Sequence, residues 1–515
     1  MTYSDCMQQI SEDELYEGLL GYGLFSDRLP PFLTSVPYYN YSLTNPCNNG
    51  QYCSQYIFFD NYRNINIPRT LAIPSPFAYE NLCKELANDW SKLQQYFQQK
   101  TLGQFHKVSR IHIRKLAKTK ALFKMNYDNW KIDGFPEPEL IIDKKYLVKA
   151  DISNCFPSMY THSLSWALAT KNIAKQNIHD TSIWYNKIDL LAQRIKDRET
   201  HGFLIGPHAS NLLSEIILAD IDNRLCQRWE YIRKIDDYSC YVKSKEEAEE
   251  FLLDLLTELK GYDLLLNQKK VIIIELPQSS ENDWVIKLNK AQYLLCSSQN
   301  VYNYNNVRNY LDTVIELVKT TNNASILSYA FKVLSGLQSV SQKNIKHQRK
   351  VFTKNAISYI KKISVHYTLL HPYLIQFYES TMILPFKFSQ GEIKEVANYF
   401  YDEGIRTRNY ELCCYSVLYS LKNCSTINNF KIIDILNSKH CILMLLSYLY
   451  ADKNGLTSEK QSLYNHALTL SSDKEDFDRH WLFVYEVLHV NDLHNEYKSL
   501  KKAHVSFVDN SKLTY

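Results

Sequence analysis

No Cys-x-x-Cys pair occurs among the twelve cysteines of this chain, so a metal finger is not expected. The cysteines stand mostly in apolar runs (Cys240, Cys296, Cys413, Cys414, Cys441), as buried free thiols do in a reducing compartment. No stretch reaches the length of a bilayer span. The longest apolar run, Cys441 to Tyr450, is too short, and no basic-then-apolar segment opens the chain. These absences point to a cytoplasmic protein without membrane contact. An excess of charge is missing too: Lys and Arg total 59 against 55 Asp and Glu, a net charge of +4. Nucleic-acid binding must therefore be argued from local patches, not from the total. A length of 515 residues leaves room for two or three domains.

What is present centres on Tyr231-Ile-Arg-Lys-Ile-Asp-Asp-Tyr-Ser-Cys-Tyr-Val242. Alternating apolar residues on both sides of Asp236 and Asp237 predict a hairpin whose tight turn carries both acids, with no Gly or Pro in it. Adjacent carboxylates repel unless cations neutralise them, and such hard oxygen ligands suit Mg²⁺. A solvated Asp-Asp turn is the plain alternative. Three further stretches tell against it. Tyr146 to Ile152 reads as a strand delivering Asp151 at its end, before a turn and Phe156. Thr200-His-Gly-Phe-Leu-Ile-Gly206 is a loop leading into a helix from near Ser210, with Leu213, Ile217 and Ile221 on one face. Beyond the hairpin, an amphipathic helix from Lys245 to Leu259 precedes Asn267-Gln-Lys-Lys270 and a strand to Ile274.

That order, Asp-turn-aromatic, Gly-loop-helix, Asp-Asp hairpin, helix, then Asn-x-x-Lys-strand, resembles motifs A to D of the reverse transcriptase palm. Tyr160-Thr-His-Ser163 after the first motif and Thr200 to Gly206 at the second are similar to the bacterial abortive-infection reverse transcriptases of phage defence, prophage-encoded members in particular. The resemblance covers roughly residues 55 to 290. One position departs from it: Lys234 stands where motif C usually has Tyr or Phe.

The fold expected is α+β, a reverse-transcriptase fingers and palm domain over 56–295 followed by an all-α, HEAT-like domain over 296–515. Residues 1–55 read as an N-terminal arm or helical extension, with Ser11 an N-cap before Glu12 to Glu17 and a Pro- and Tyr-rich coil behind it. Ile67-Pro-Arg69 to Pro76 leads into a helix from Phe77 to Leu93 and resembles the first fingers motif. His106 to Lys124 holds seven Lys or Arg and no acid. Basic residues alternating with Ile111 and Ile113 predict a strand with one charged face, a surface on which Arg110, Arg114 and Lys115 grip template or incoming triphosphate. A merely solvated face is the alternative. After residue 290 strand signals fade and apolar residues recur at helical spacing, as in Glu411 to Leu421 and Asp478 to Leu488. From Val318 to Tyr378 there are nine Lys or Arg and not one acid, which assigns Lys346, Arg349, Lys350 and Lys354 to nucleic-acid binding.

The resemblance implies two-metal nucleotidyl transfer to dNTP substrates: two Mg²⁺ ions at Asp151, the adjoining Ile152, Asp236 and Asp237. It implies Phe156 as the aromatic that excludes a ribose 2′-OH. Gly206 permits close approach of backbone to the nucleotide, and Lys270, or Lys269 beside it, is a general acid for pyrophosphate. It further implies DNA synthesis without a template, primed on a protein tyrosine, with a single-stranded DNA product joined to the chain. The N-terminal stretch offers Tyr3, Tyr16, Tyr22, Tyr38, Tyr39 and Tyr41 as primers, without a choice among them. A homo-oligomer and a phage or host protein partner are implied as well. Two other readings stay open, a conventional RNA-templated reverse transcriptase and a catalytically idle nucleic-acid-binding scaffold. All three carboxylates being present speaks against the last.

Overall fold

The computed structural model describes residues 2–47, 49–62, 68–125, 133–278, 283–297, 301–302, 304–323, 325–327, 329–334, 351–360 and 389–513. The chain divides into two compact units. The first comprises Met1–Phe58, Leu71–Gln278 and Ala467–Asp509; the second comprises Phe59–Thr70, Ser279–His466 and Asn510–Tyr515.

The first unit is built around a four-stranded antiparallel sheet. Its strands are β1 (Tyr146–Asp151), β2 (Tyr231–Lys234), β3 (Asp237–Val242) and β4 (Ile272–Glu275), in the order β2-β3-β1-β4. Alternation sets the faces: Val148 and Ala150 of β1 are buried while Lys149 between them is exposed. Against the sheet lie α1 (His208–Leu225), buried along nearly its whole length, and α2 (Lys245–Lys260). The Ser244 hydroxyl accepts from the Glu247 amide and caps α2, whose first turn adds the acids Glu246 and Glu247 that favour a helix N-terminus. The helix expected over Phe77–Leu93 forms as Pro76–Asn88, breaks at Asp89 and resumes as Trp90–Thr101.

Of the two readings of residues 1–55, an arm or a helical extension, the helical one describes them, with short helices packed within the first unit. Ser11 does cap a helix, its hydroxyl accepting from Glu14, and Met7, Leu15, Leu19, Leu24 and Phe32 around it are buried in the first unit. Two expectations need correction. Residues 296–515 do not form one helical domain. Ala467–Asp509 belongs to the first unit, where Phe507 packs on Phe25 and Tyr38, and the Thr34 amide donates to the Phe507 carbonyl. Burial of that aromatic cluster outweighs proximity in sequence. The second correction concerns His106 to Lys124, where only isolated bridges occur, one of them between Ser109 and Arg233.

The described part of the second unit is mainly helical. Helices Gln390–Thr407 and Tyr410–Asn423 pack on each other, and the latter packs on Cys441–Lys453. Ser389 caps the first of these with Glu392 in a capping box. Glu411, fully buried, is held by the Asn61 side chain at 2.6 Å and the Tyr62 amide at 2.7 Å. Of the basic residues expected on this stretch, Lys354 is exposed at the start of a helical turn; Lys346, Arg349 and Lys350 lie outside the described residues. Among the described residues no helix is long and apolar enough to cross a membrane.

Candidate active site

Strand pairing brings the acids together. In the register of β1 and β3, Asp151 stands opposite Asp237, while Lys234 opposite Asp237 closes a two-residue turn of Ile235 and Asp236. Ligand oxygens of Asp151, Asp236 and Asp237 lie within 4.8 Å of one another. The Ile152 amide donates to the Asp236 carbonyl at 3.1 Å, tying the end of β1 to the turn. Asp151 is buried; Asp237 is open to solvent.

A second clamp comes from Asn267 and Lys270. They lie three residues apart across a single 3-10 turn, which places them on one side of the chain. The Asn267 side chain donates to Asp151 at 3.0 Å and its amide to the Asp151 carbonyl at 2.8 Å, while the Lys270 ammonium meets the other Asp151 oxygen at 2.6 Å. The expectation allowed Lys269 or Lys270, and it is Lys270 that reaches the cluster. Sequence reasoning quoted Asn267 without giving it a role; its spacing from Lys270 was the available signal.

Charge crowding marks the site. Asp237 is pushed up to about 6, by loss of hydration and by the neighbouring Asp236 and Asp151. Because the residue remains open to water, the two carboxylates are the cause that solvent weakens least. For Lys270 loss of hydration, the largest single effect, pulls downward, but Asp151, Asp237 and Asp236 together carry its pKa above that of an ordinary lysine. A cation of the chain itself thus sits against oxygens that would otherwise face one another. An all-carboxylate donor set of this kind fits a hard divalent ion.

The loops that shape the approach are stitched together by backbone. The Phe203 amide donates to the Phe156 carbonyl at 2.7 Å, that of Gly202 to Met159 at 2.8 Å, and that of Thr161 to Thr200 at 2.8 Å. Gly202 has φ +87°, and a Cβ there would stand 2.8 Å from the Pro157 carbonyl oxygen, so only glycine fits. Gly206, at φ +130°, lies beside Ala72, whose amide donates to the Ile205 carbonyl. Phe156 is half-buried on the short helix Cys155–Ser158. His162, next in the Tyr160–Ser163 stretch, bonds Asp189 at 2.5 Å, which raises its pKa.

Part of the basic segment ends up inside: Lys107, Arg110 and Arg114 are buried, while Lys115, Lys118, Lys120 and Lys124 are exposed. Lys107 and Arg114 both pair with the buried Asp133, Arg114 at 2.8 Å. Arg110 donates to the carbonyls of Asp133 and Gly134. Arg110 and Arg114, expected on a phosphate-gripping face, are thus core cations, because an acid from beyond the segment draws them in. Lys115 is exposed and paired with Glu14 at 2.6 Å.

The model of the reverse transcriptase (RNA-dependent DNA polymerase) family matches residues 84–304, a span that contains all three acids, both loops and the Asn267–Lys270 clamp. That span matches a reverse transcriptase domain. Its reaction class is nucleotidyl transfer, and such domains use two Mg²⁺ ions and dNTPs. Among solved structures, apo telomerase from Candida tropicalis is 12% identical, with 73% of this chain and 69% of that chain covered at a TM-score of 0.32. The telomerase of Candida tropicalis in complex with a TWJ fragment of telomeric RNA is 13% identical, covering 74% and 68% at a TM-score of 0.28. No curated protein matches the chain.

Proposed function

We propose that this chain is a DNA polymerase of the abortive-infection type, which protects a bacterium against phage by protein-primed synthesis of DNA without a template. The observation that carries the catalytic half of this reading is the Asp151–Asp236–Asp237 cluster with Lys270 against it. The resemblance of Tyr160–Ser163 and Thr200–Gly206 to that group supports the rest, and these two stretches pair through Thr161 and Thr200.

Mg²⁺ bound by Asp151, Asp236 and Asp237 would supply charge neutralisation and ease loss of the attacking hydroxyl's proton. The chain's own residues do the remaining work. Asn267 holds Asp151 in place, and the pairing of β1 with β3 sets Asp237 opposite. In the transfer an oxygen of a 3′-hydroxyl or a tyrosine phenol forms the bond to the α-phosphorus of the dNTP. The α–β anhydride bond breaks, and pyrophosphate leaves with its electron pair. Lys270, 2.6 Å from Asp151, is the residue proposed to stabilise or protonate that leaving group. Half-buried Phe156 is the residue to exclude a 2′-OH.

Burial divides the six N-terminal tyrosines. Tyr3 and Tyr38 are buried, Tyr38 donating to Glu80, and Tyr16 is bonded to Ser42 at 3.0 Å. Tyr16, like Tyr22, Tyr39 and Tyr41, keeps partial exposure, and these four are the ones proposed to prime. The test incubates purified protein with Mg²⁺ and labelled dNTPs, with and without template, then denatures, digests with nuclease and maps residual nucleotide by peptide mass spectrometry. A nucleotidylated tyrosine peptide without template supports the proposal. Label freed by denaturation and synthesis only on an RNA template would establish the conventional reverse transcriptase instead.

A further inference from the structure

The turn that presents Asp236 and Asp237 is built from an unsuitable residue. Two-residue hairpin turns of the primed types need a positive φ at their first central position and favour Gly or Asn there. This chain places Ile235 at that position, with φ +60°. A β-branched residue in the left-handed region is an outlier and persists only where its surroundings hold it.

What holds it is Arg233, fully buried two residues earlier. Its terminal nitrogen donates to the Ile235 carbonyl at 2.9 Å. The other guanidinium contacts go to two buried acids of α1: Asp222 at 2.8 Å from Nε, and Glu215 at 2.9 and 3.2 Å. A guanidinium is a rigid planar fork of five N–H donors, so with three bonds to the two carboxylates the fork is locked and a further donor is aimed at the turn. The Ile235 carbonyl and the Asp236 amide belong to one planar peptide unit. Asp236 is therefore held from both sides, by Arg233 through the preceding peptide and by the Ile152 amide on its own carbonyl.

We propose that Arg233 is a positioning residue, whose guanidinium, anchored to Glu215 and Asp222, fixes the left-handed turn and thereby the placing of Asp236 and Asp237 beside Asp151. This rests on reading those acids as the metal ligands. The same contact makes α1, the helix that follows the Gly206 loop, a rigid support for the metal-binding hairpin. The role falls to Arg and not Lys, since three donors on one nitrogen cannot serve two carboxylates and the carbonyl together.

The test measures Mn²⁺ binding to nucleotide-free protein by electron paramagnetic resonance, beside polymerase activity and melting temperature. Asp236→Ala calibrates it: unchanged Mn²⁺ binding there would remove the metal-site reading itself. Arg233→Lys keeps the buried charge and is expected to weaken Mn²⁺ binding about tenfold or more, the usual effect of losing an outer support. Ile235→Gly added to Arg233→Lys should recover most of that loss, because glycine adopts the turn unaided. Should Arg233→Lys not fold, the neutralised set Glu215→Gln, Asp222→Asn and Arg233→Met leaves no unpaired charge and is expected to lose the same affinity. Parental Mn²⁺ affinity in either folded variant overturns the proposal. So does a loss that Ile235→Gly fails to recover, since the guanidinium would then act by some route other than the turn.

Discussion

Asp237→Asn should stabilise the metal-free protein at neutral and alkaline pH, and only there. Its carboxyl, pushed up to about 6, lies above the ordinary aspartate value of 3.8. An acid raised on folding binds its proton more tightly in the folded state. Its destabilising effect is absent below about pH 4, grows as the pH rises to 6, and is complete above that. Two charges no more than 4.8 Å apart repel by at least about 0.9 kcal/mol in bulk water, which is the suitable limit for an exposed group. Asp151 and Asp236 each contribute such a repulsion, and Lys270 offsets part of it. The net effect is about 1 kcal/mol, or roughly 2 °C in melting temperature for a domain of this size. Calorimetric scans in EDTA should therefore show the Asn variant melting about 2 °C above the parent at pH 8 and level with it only below about pH 4. Excess Mg²⁺ at pH 8 should abolish the gap, since it binds the parent better. An Asn variant that melts below the parent at pH 8 in EDTA would show that the acids are not crowded, and the electrostatic account of the cluster would fall.

The catalytic strands were legible because local patterns dictate them. Tyr146–Asp151 alternates, the acids fall in a tight turn, α1 begins within two residues of the expected Ser210, and α2 matches its expected bounds to one residue. The basic stretch was misread because its partner is not local: Asp133 lies beyond the segment, and a run of cations without acids looks like surface until that acid is placed among them. For the same reason the sequence could not show Phe507 packing on Phe25 and Tyr38, a contact between the two ends of the chain. Arg233 was visible as a residue and hidden in its role. Glu215 and Asp222, on an almost wholly buried helix, give no amphipathic signal to mark them as its partners.

Three other substitutions test the remaining contacts. Gly202→Ala should cost about 2–4 kcal/mol, from a left-handed φ and a Cβ 2.8 Å from a backbone oxygen, and lower the melting temperature of the folded chain. Phe156→Ala should raise incorporation of rATP relative to dATP; an unchanged ratio would leave Phe156 a packing residue. Asp133→Asn decides whether the basic segment is core or nucleic-acid surface. Loss of this one carboxylate leaves Lys107 and Arg114 buried without their shared anion, at a cost of about 3–5 kcal/mol. Burial already lowers the pKa of Lys107, so without Asp133 it can escape part of the penalty by giving up its proton. A base lowered on folding makes stability rise with pH between its folded and unfolded values, so the deficit should be smaller at pH 9 than at pH 7. Melting curves at the two pH values measure this, with single-stranded DNA binding assayed beside them. If the variant instead melts with the parent and binds DNA more tightly, the freed cations face phosphate, and the core assignment of Lys107 and Arg114 is wrong.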